Sequence, residues 1–317
     1  MEVSYFSQSI AFSTRLPADE FSYGFERYLY NETAFLQLHP NVPISFYIFH
    51  TKKKEVLGRC HFFLTNAIAT SPYRSPFGGI ELDPSLSLDL IEAFIAYVEH
   101  ALQQKGAQAI KITQVPFVYD PTSASKLTNC YLRAGFQITH PDPNHHITIG
   151  SARFEQKIHA MEGRKLKKAI TQGLVFKEEP MDSLEEIYAF IQARRKEKRQ
   201  NLNISLQNLH KAVHNLPHHY KIFTVKAEEE LIATSIIIVV NDKIAYNFLP
   251  ASTSAYNKWS PMVFLLKGLY EWCQERGIRI LDLGISSVDN TPQYSLIAFK
   301  ERIGGELGLK CTFFKTL

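Results

Sequence analysis

The strongest constraint on how this chain can fold is an internal duplication. In the first half, "FYIFHTKKKEVLGRCHFFLTNAIATS" reads as an apolar strand, a polar turn, a second strand and a shorter third. In the second half, "YKIFTVKAEEELIATSIIIVVNDKIAYNFLPAS" has the same order, with "TKKKE" and "KAEEE" as equivalent turns and Asn241-Asp242 as a tight-turn pair. Each set is followed by a loop and an amphipathic helix. The first helix carries Leu90, Ile91, Phe94, Ile95, Val98 and Leu102 at helical spacing. The second opens on Ser260 as N-cap with Pro261 at the first helical position, and closes at Gly277. Both helices run into a short apolar strand, "AQAIKIT" and "IRILDLG". Gly58 aligns with Ala233 and Gly106 with Gly277, so the offset hardly changes along the unit. Two related α/β domains follow, residues 1–150 and 151–317, with the cut near Gly150 after the Pro-rich "HPDPNHHITIG".

A length of 317 residues suits two domains, and 45% hydrophobic and 21% charged residues are ordinary for a globular protein. The net charge of +4 permits a phosphate-bearing partner without requiring one. Four cysteines (Cys60, Cys130, Cys273 and Cys311), none in a CxxC pair, point to reduced thiols and a cytoplasmic protein. "MEVSYFSQSI" has an acid at position two and no apolar core, so it does not read as a signal peptide. The longest apolar run, "LIATSIIIVV", is about half of what spans a bilayer, which argues against membrane insertion. The pairs His145-His146 and His218-His219 lack metal-ligand spacing and read as surface turn residues, so no metal is expected. "SARFEQKIHAMEGRKLKKAITQG" reads as one helix, and "SLEEIYAFIQARRKEKRQ" and "SLQNLHKAVHNLP" as a helical pair.

Hairpin strands, then a helix, then a strand, with "CYLRAGFQI" at 130–138, resemble the GNAT acyltransferase fold. In the second half, "EGRKLKKAITQGLVF", "LKGLYEWCQERGIRILDLG" and "SLIAFKERIGGELG" occur in an order that resembles the Fem-type aminoacyltransferases and their tandem GNAT-like relatives. The resemblance implies an α/β (α+β) fold of two tandem domains, each a mixed, mostly antiparallel sheet flanked by helices. It further implies transfer of an acyl or aminoacyl group to an amine of a cell-wall precursor, peptide or amino sugar. The donor would be an acyl-CoA or an aminoacyl-tRNA, with no tightly bound cofactor. Phe299 and Lys300 take the places of the family's Phe-Lys pair. Phe299 would shape the site, and Lys300 would supply charge to an oxyanion or a donor phosphate, with Gly304-Gly305 turning the chain behind it.

Such chemistry needs a neutral amine, an activated ester or thioester, and donors for the oxyanion. It needs no protein nucleophile, and no GxSxG elbow is present. Asp282, at the end of "IRILDLG", is a candidate proton acceptor and equally a candidate structural carboxylate. Asp289 is a second candidate, with an Asx-turn as its other role. Tyr246, Tyr256 and Trp259 flank the second-half loop "PASTSAYNKWSP" and could line a substrate cleft, with Arg195 as a further substrate contact. That loop has no glycine, a departure from the pyrophosphate loop of GNAT proteins that fits an aminoacyl-tRNA donor better. Arg164, Lys165 and Lys168 in one basic run and Arg199 in another could meet donor phosphates or RNA, and both runs read equally as solvated helix faces. No DNA-binding motif appears. A non-catalytic protein that keeps the fold and holds a ligand is the alternative.

Overall fold

A computed structural model describes residues 3–16 and 21–317; Glu2, which enters the reading of the N-terminus, lies outside them. The chain forms two compact units, one of residues 1–143 with 308–317, the other of residues 144–307. This differs from a cut at Gly150 with the whole C-terminal segment in the second domain. The C-terminal strand, Glu306–Thr316, pairs antiparallel with Ala109–Thr113 about two hundred residues earlier, a partner that no local signal announces.

The first unit contains β1 (Ile10–Ser13), β2 (Ile44–His50), β3 (Glu55–Thr65), β4 (Ile68–Ser71), α1 (Leu88–Gln104), β5 (Ala109–Thr113), α2 (Pro121–Arg133) and β6 (Gln137–Thr148), the last ending beyond it. β1 to β4 pair antiparallel in sequence order, β5 joins β4 in parallel, and the C-terminal strand follows β5. The six apolar positions of α1 expected from spacing are the six it buries. They pack on Phe46, Ile48, Phe62, Ile110 and Ile112 of the sheet. Each such side chain contributes about 1.5–3 kcal/mol relative to exposure.

The second unit repeats the pattern with α3 (Ala160–Thr171), β7 (Val175–Glu179), α4 (Leu184–Glu197), α5 (Leu206–Asn215), β8 (Tyr220–Ala227), β9 (Glu230–Asn241), β10 (Ile244–Asn247), α6 (Pro261–Glu275), β11 (Ile280–Ile285) and α7 (Tyr294–Arg302). β7 to β10 are antiparallel neighbours, β11 joins β10 in parallel, and residues 144–148 of β6 complete the sheet on the far side of β11. The strand–strand–strand–helix–strand duplication is therefore physical. Asn241 closes its turn by accepting from the Lys243 amide.

Four local expectations are corrected. The Pro-rich turn expected to lead into a strand in "HPDPNHHITIG" is itself strand: Pro141 and Pro143, two apart, place both missing N–H groups on one edge of β6, so the strand runs through them. Its His145 and His146 are buried, not surface residues. The helix expected over 151–173 breaks into one turn, Phe154–Lys157, and α3. Ser260 sits at the N-cap of α6 with φ 49° and no side-chain cap bond. Among the described residues no helix is long and apolar enough to cross a membrane.

Candidate active site

β10 and β11 run parallel only from Ile244↔Ile280 to Tyr246↔Asp282. Past that point the β10 chain turns its amides toward β9, where Phe248 and Leu249 both donate to the Ile236 carbonyl. β11 continues through Gly284. Strands that share a ladder briefly and then part leave room at the fork for a substrate to meet backbone and side chains. In the first unit, the corresponding fork of β4 and β5 is filled by the chain itself. Gly78 bridges to Gln114, its amide donates to Thr113, and the Gly79 amide donates to Ser71 Oγ.

Alternation decides which side chains face the fork. Ala245, Leu281 and Leu283, with Ile147 of β6, belong to the apolar core under α6. Tyr246, Asp282 and His146 therefore turn to the opposite face. Asp282, 2% exposed, accepts at Oδ1 from Asn144 Nδ2 at 2.9 Å and from the Gly284 amide at 2.7 Å. Gly284 has φ +73°, and a Cβ there would lie 3.1 Å from the Tyr246 ring, so the position demands glycine twice over. Burial first, then the Asp282 charge, holds the Tyr246 hydroxyl well above its ordinary range, so it stays a proton donor. Half-buried Arg195 of α4 donates to Gln200 and, at 3.5 Å, to the Pro250 carbonyl. Burial lowers its pKa, Tyr246 opposes the shift, and no carboxylate pairs with it among the described residues.

Lys300 reaches β11 from α7; Phe299 of that helix and Ile303 just after it pack into the apolar core. Its Nζ is buried and donates to the carbonyls of Gly284 at 2.8 Å and Ile285 at 2.9 Å. Asp282 and Lys300 thus hold the same strand end, Asp282 through the Gly284 amide and Lys300 through the Gly284 and Ile285 carbonyls. The glycine pair has a local cause. Gly305 donates to the Lys300 carbonyl, which a Cβ would meet at 2.5 Å, and Gly304 (φ +83°) lies against the Lys157 backbone.

Sequence reasoning missed the two histidines. His145 Nδ1 lies 3.0 Å from Ser286 Oγ, and its Nε2 is buried without a partner. Burial, then Lys300 and His146, pushes its pKa down to about 4. His146 stands opposite Asp282 in the β6–β11 register, its buried Nδ1 unpartnered and its Nε2 3.9 Å from Glu306. The only signal in the sequence was the alternation of "NHHITI", which the flanking prolines disguised.

The remaining candidates lie elsewhere. The rings of Tyr256 and Trp259 meet tilted, 4.8 Å apart, just before α6, and the Tyr256 hydroxyl donates to Glu230. Lys165 of α3 is paired with Glu162, which is wholly buried and also takes Arg302 at 3.1 Å. Arg164 and Lys168 are exposed on α3, as is Arg199 after α4. Asp289 takes φ +47° in a tight turn with Asn290. No cluster of three or more His, Cys, Asp or Glu side chains among the described residues is arranged to hold a metal.

Residues 160–294 match the family model described as an acetyltransferase (GNAT) domain. Over that stretch the second unit is similar to a GNAT domain. Solved structures show that the whole chain has the tandem GNAT fold. FemX is similar with a TM-score of 0.70 at 14% identity, covering 91% of this chain and 92% of that one. A tandem GNAT protein from the clavulanic acid biosynthesis pathway gives 0.55 at 11% identity, over 89% and 86%. L-PGS from Bacillus licheniformis gives 0.53 at 15% identity, over 82% and 81%. At these identities the likeness to each is one of fold. No curated protein matches the sequence.

Proposed function

We propose that the second unit moves an acyl or aminoacyl group from an activated donor to the amine of a small acceptor, such as an amino sugar, a peptide or a cell-wall precursor. One observation carries this reading: a nearly solvent-free carboxylate, Asp282, is held by two hydrogen bonds where β10 and β11 part. A carboxylate so placed can take the proton of an acceptor ammonium and leave a neutral nucleophile. The Tyr246 hydroxyl, kept protonated beside it, is a donor for the oxyanion or the leaving group. Arg195, a half-buried cation that pairs with no carboxylate among the described residues, is suited to a phosphate or carboxylate of the donor or acceptor. Lys300 acts by fixing the Gly284–Ile285 end of β11, the wall of the fork.

The GNAT match favours an acyl-CoA donor, and the glycine-free loop before α6 favours an aminoacyl-tRNA. The test incubates the protein with each donor and a panel of amines and follows product by mass spectrometry. Asp282→Asn, which keeps an acceptor for both hydrogen bonds, should lower kcat by about 10²- to 10⁴-fold with little change in Tm. Undiminished turnover in that variant would refute the assignment. Tight acceptor binding with no transfer from either donor would support the non-catalytic alternative.

A further inference from the structure

Asp282 presents a problem that its surroundings answer. A carboxylate 2% exposed can accept one proton from an ammonium, but it has almost no contact with water to which it can return it. Directly across the β6–β11 ladder stands His146, 6% exposed, and opposed residues in such a ladder have Cβ atoms about 4.5–5.5 Å apart. Its two ring nitrogens see different surroundings. Nδ1 is buried without a hydrogen-bond partner, and Nε2 lies 3.9 Å from a carboxylate oxygen of Glu306, whose side chain is 55% exposed. A buried, unpartnered ring nitrogen costs free energy unless something uses it.

We propose that Asp282, His146 and Glu306 form a proton path from the fork of β10 and β11 to solvent, with His146 acting through Asp282 as the relay. The proposal rests on the acyl-transfer reading. The step balances. R–NH3+ gives one proton to the Asp282 carboxylate, and the neutral amine attacks the acyl carbon. The second amine proton goes to the departing thiolate or alkoxide as the bond to the carrier breaks. No hydrogen bond joins Asp282 to His146 Nδ1 at rest, so protonated Asp282 passes its proton when the two side chains turn to meet, and the proton on Nε2 leaves toward Glu306 and water. One proton is released per transfer, and the path resets when His146 returns to the tautomer with the proton on Nε2.

The charged and titratable groups around His146 agree with this role. Burial lowers its pKa, Glu306 and Asp282 raise it, and Lys157, from the turn Phe154–Lys157, lowers it; His145 is its neighbour on β6. His146 is therefore neutral near pH 7, with Nδ1 ready to accept, and it loses that capacity as pH falls through its pKa.

Two measurements decide the matter. The first is an NMR titration of labelled histidine in the wild type, Asp282→Asn and Glu306→Gln, with His146→Gln assigning the signal. Removing either negative charge should move the His146 titration to lower pH. A midpoint unchanged by both substitutions overturns the path, whatever the enzyme turns over. The second is kinetic. His146→Gln should lower kcat about 10- to 100-fold with KM nearly constant, abolish the acid limb due to His146, and respond to added imidazole. Glu306→Gln, at an exposed position that folding tolerates, should do the same more weakly. Wild-type kcat and pH profile in both variants would overturn the relay. If the wild type transfers from neither donor, the acyl-transfer reading falls, and the titration alone upholds or overturns the coupling.

Discussion

At Lys300, one ammonium donates to two carbonyls at the end of β11. Lys300→Ala would leave both without that donor in a buried place, at a cost of about 1–3 kcal/mol each. We therefore expect this variant to lose stability as well as activity, with a drop in Tm measurable by calorimetry. An unchanged Tm with lost turnover would show instead that Lys300 acts on the substrate, as the Phe-Lys resemblance implies. The residue identities around the fork were legible in the sequence: Asp282, Tyr246, Arg195 and Lys300 were all candidates. Their geometry was not. That Asp282 and Lys300 both bind the Gly284 peptide region of β11 depends on how α7 packs, and the His146 pairing spans a separation of well over a hundred residues.

Helix α6 and strand β7 meet at a position where helix propensity misleads. Gly268 lies in the middle of α6, where alanine ordinarily adds about 1 kcal/mol. Here a Cβ would lie 2.4 Å from carbons of the Phe176 ring, which itself stacks on Phe223 at 5.3 Å. We expect Gly268→Ala to destabilise by about 1–3 kcal/mol, as overpacking does. Adding Phe176→Leu should recover part of the loss in denaturant melts, and a stabilised single variant would show that the β7 edge yields easily. Elements with a strong local period, such as α1 and the paired hairpins, were predicted with their correct faces because one side of each is apolar. The proline-bearing part of β6 was not, because prolines are turn signals wherever they occur, and only the neighbouring strand determines whether the chain turns.

The two units share an acid sensitivity. Burial, then Arg59, pushes His61 of the first unit down to about 3, and His145 of the second is pushed down to about 4. Both are neutral when folded, against an unfolded value near 6.5. Their contribution is fully present above pH 6.5 and is lost as pH falls through 4 and then 3. It is on the order of 3–5 kcal/mol apiece. Unfolding free energy measured by denaturant should fall steeply over that window, and His61→Gln should flatten the slope. A slope unaffected by His61→Gln would place the acid sensitivity in other groups.

The sequence by itself determined the duplication, the order of strands and helices in each half, the faces of the main helices, and the resemblance to tandem GNAT proteins. All of these are written in local periods of two and 3.6 and in turn residues a few positions apart. Only the tertiary structure decided that residues 308–317 join the first unit and 144–148 the second. It also decided that the first fork is filled by Gly78 and Gly79, and that His146 stands between Asp282 and Glu306. The physical reason is range. A strand's pairing edge and its buried face are chosen by whatever apolar surface and unpaired backbone it meets, and those partners lie too far along the chain for any local pattern to encode.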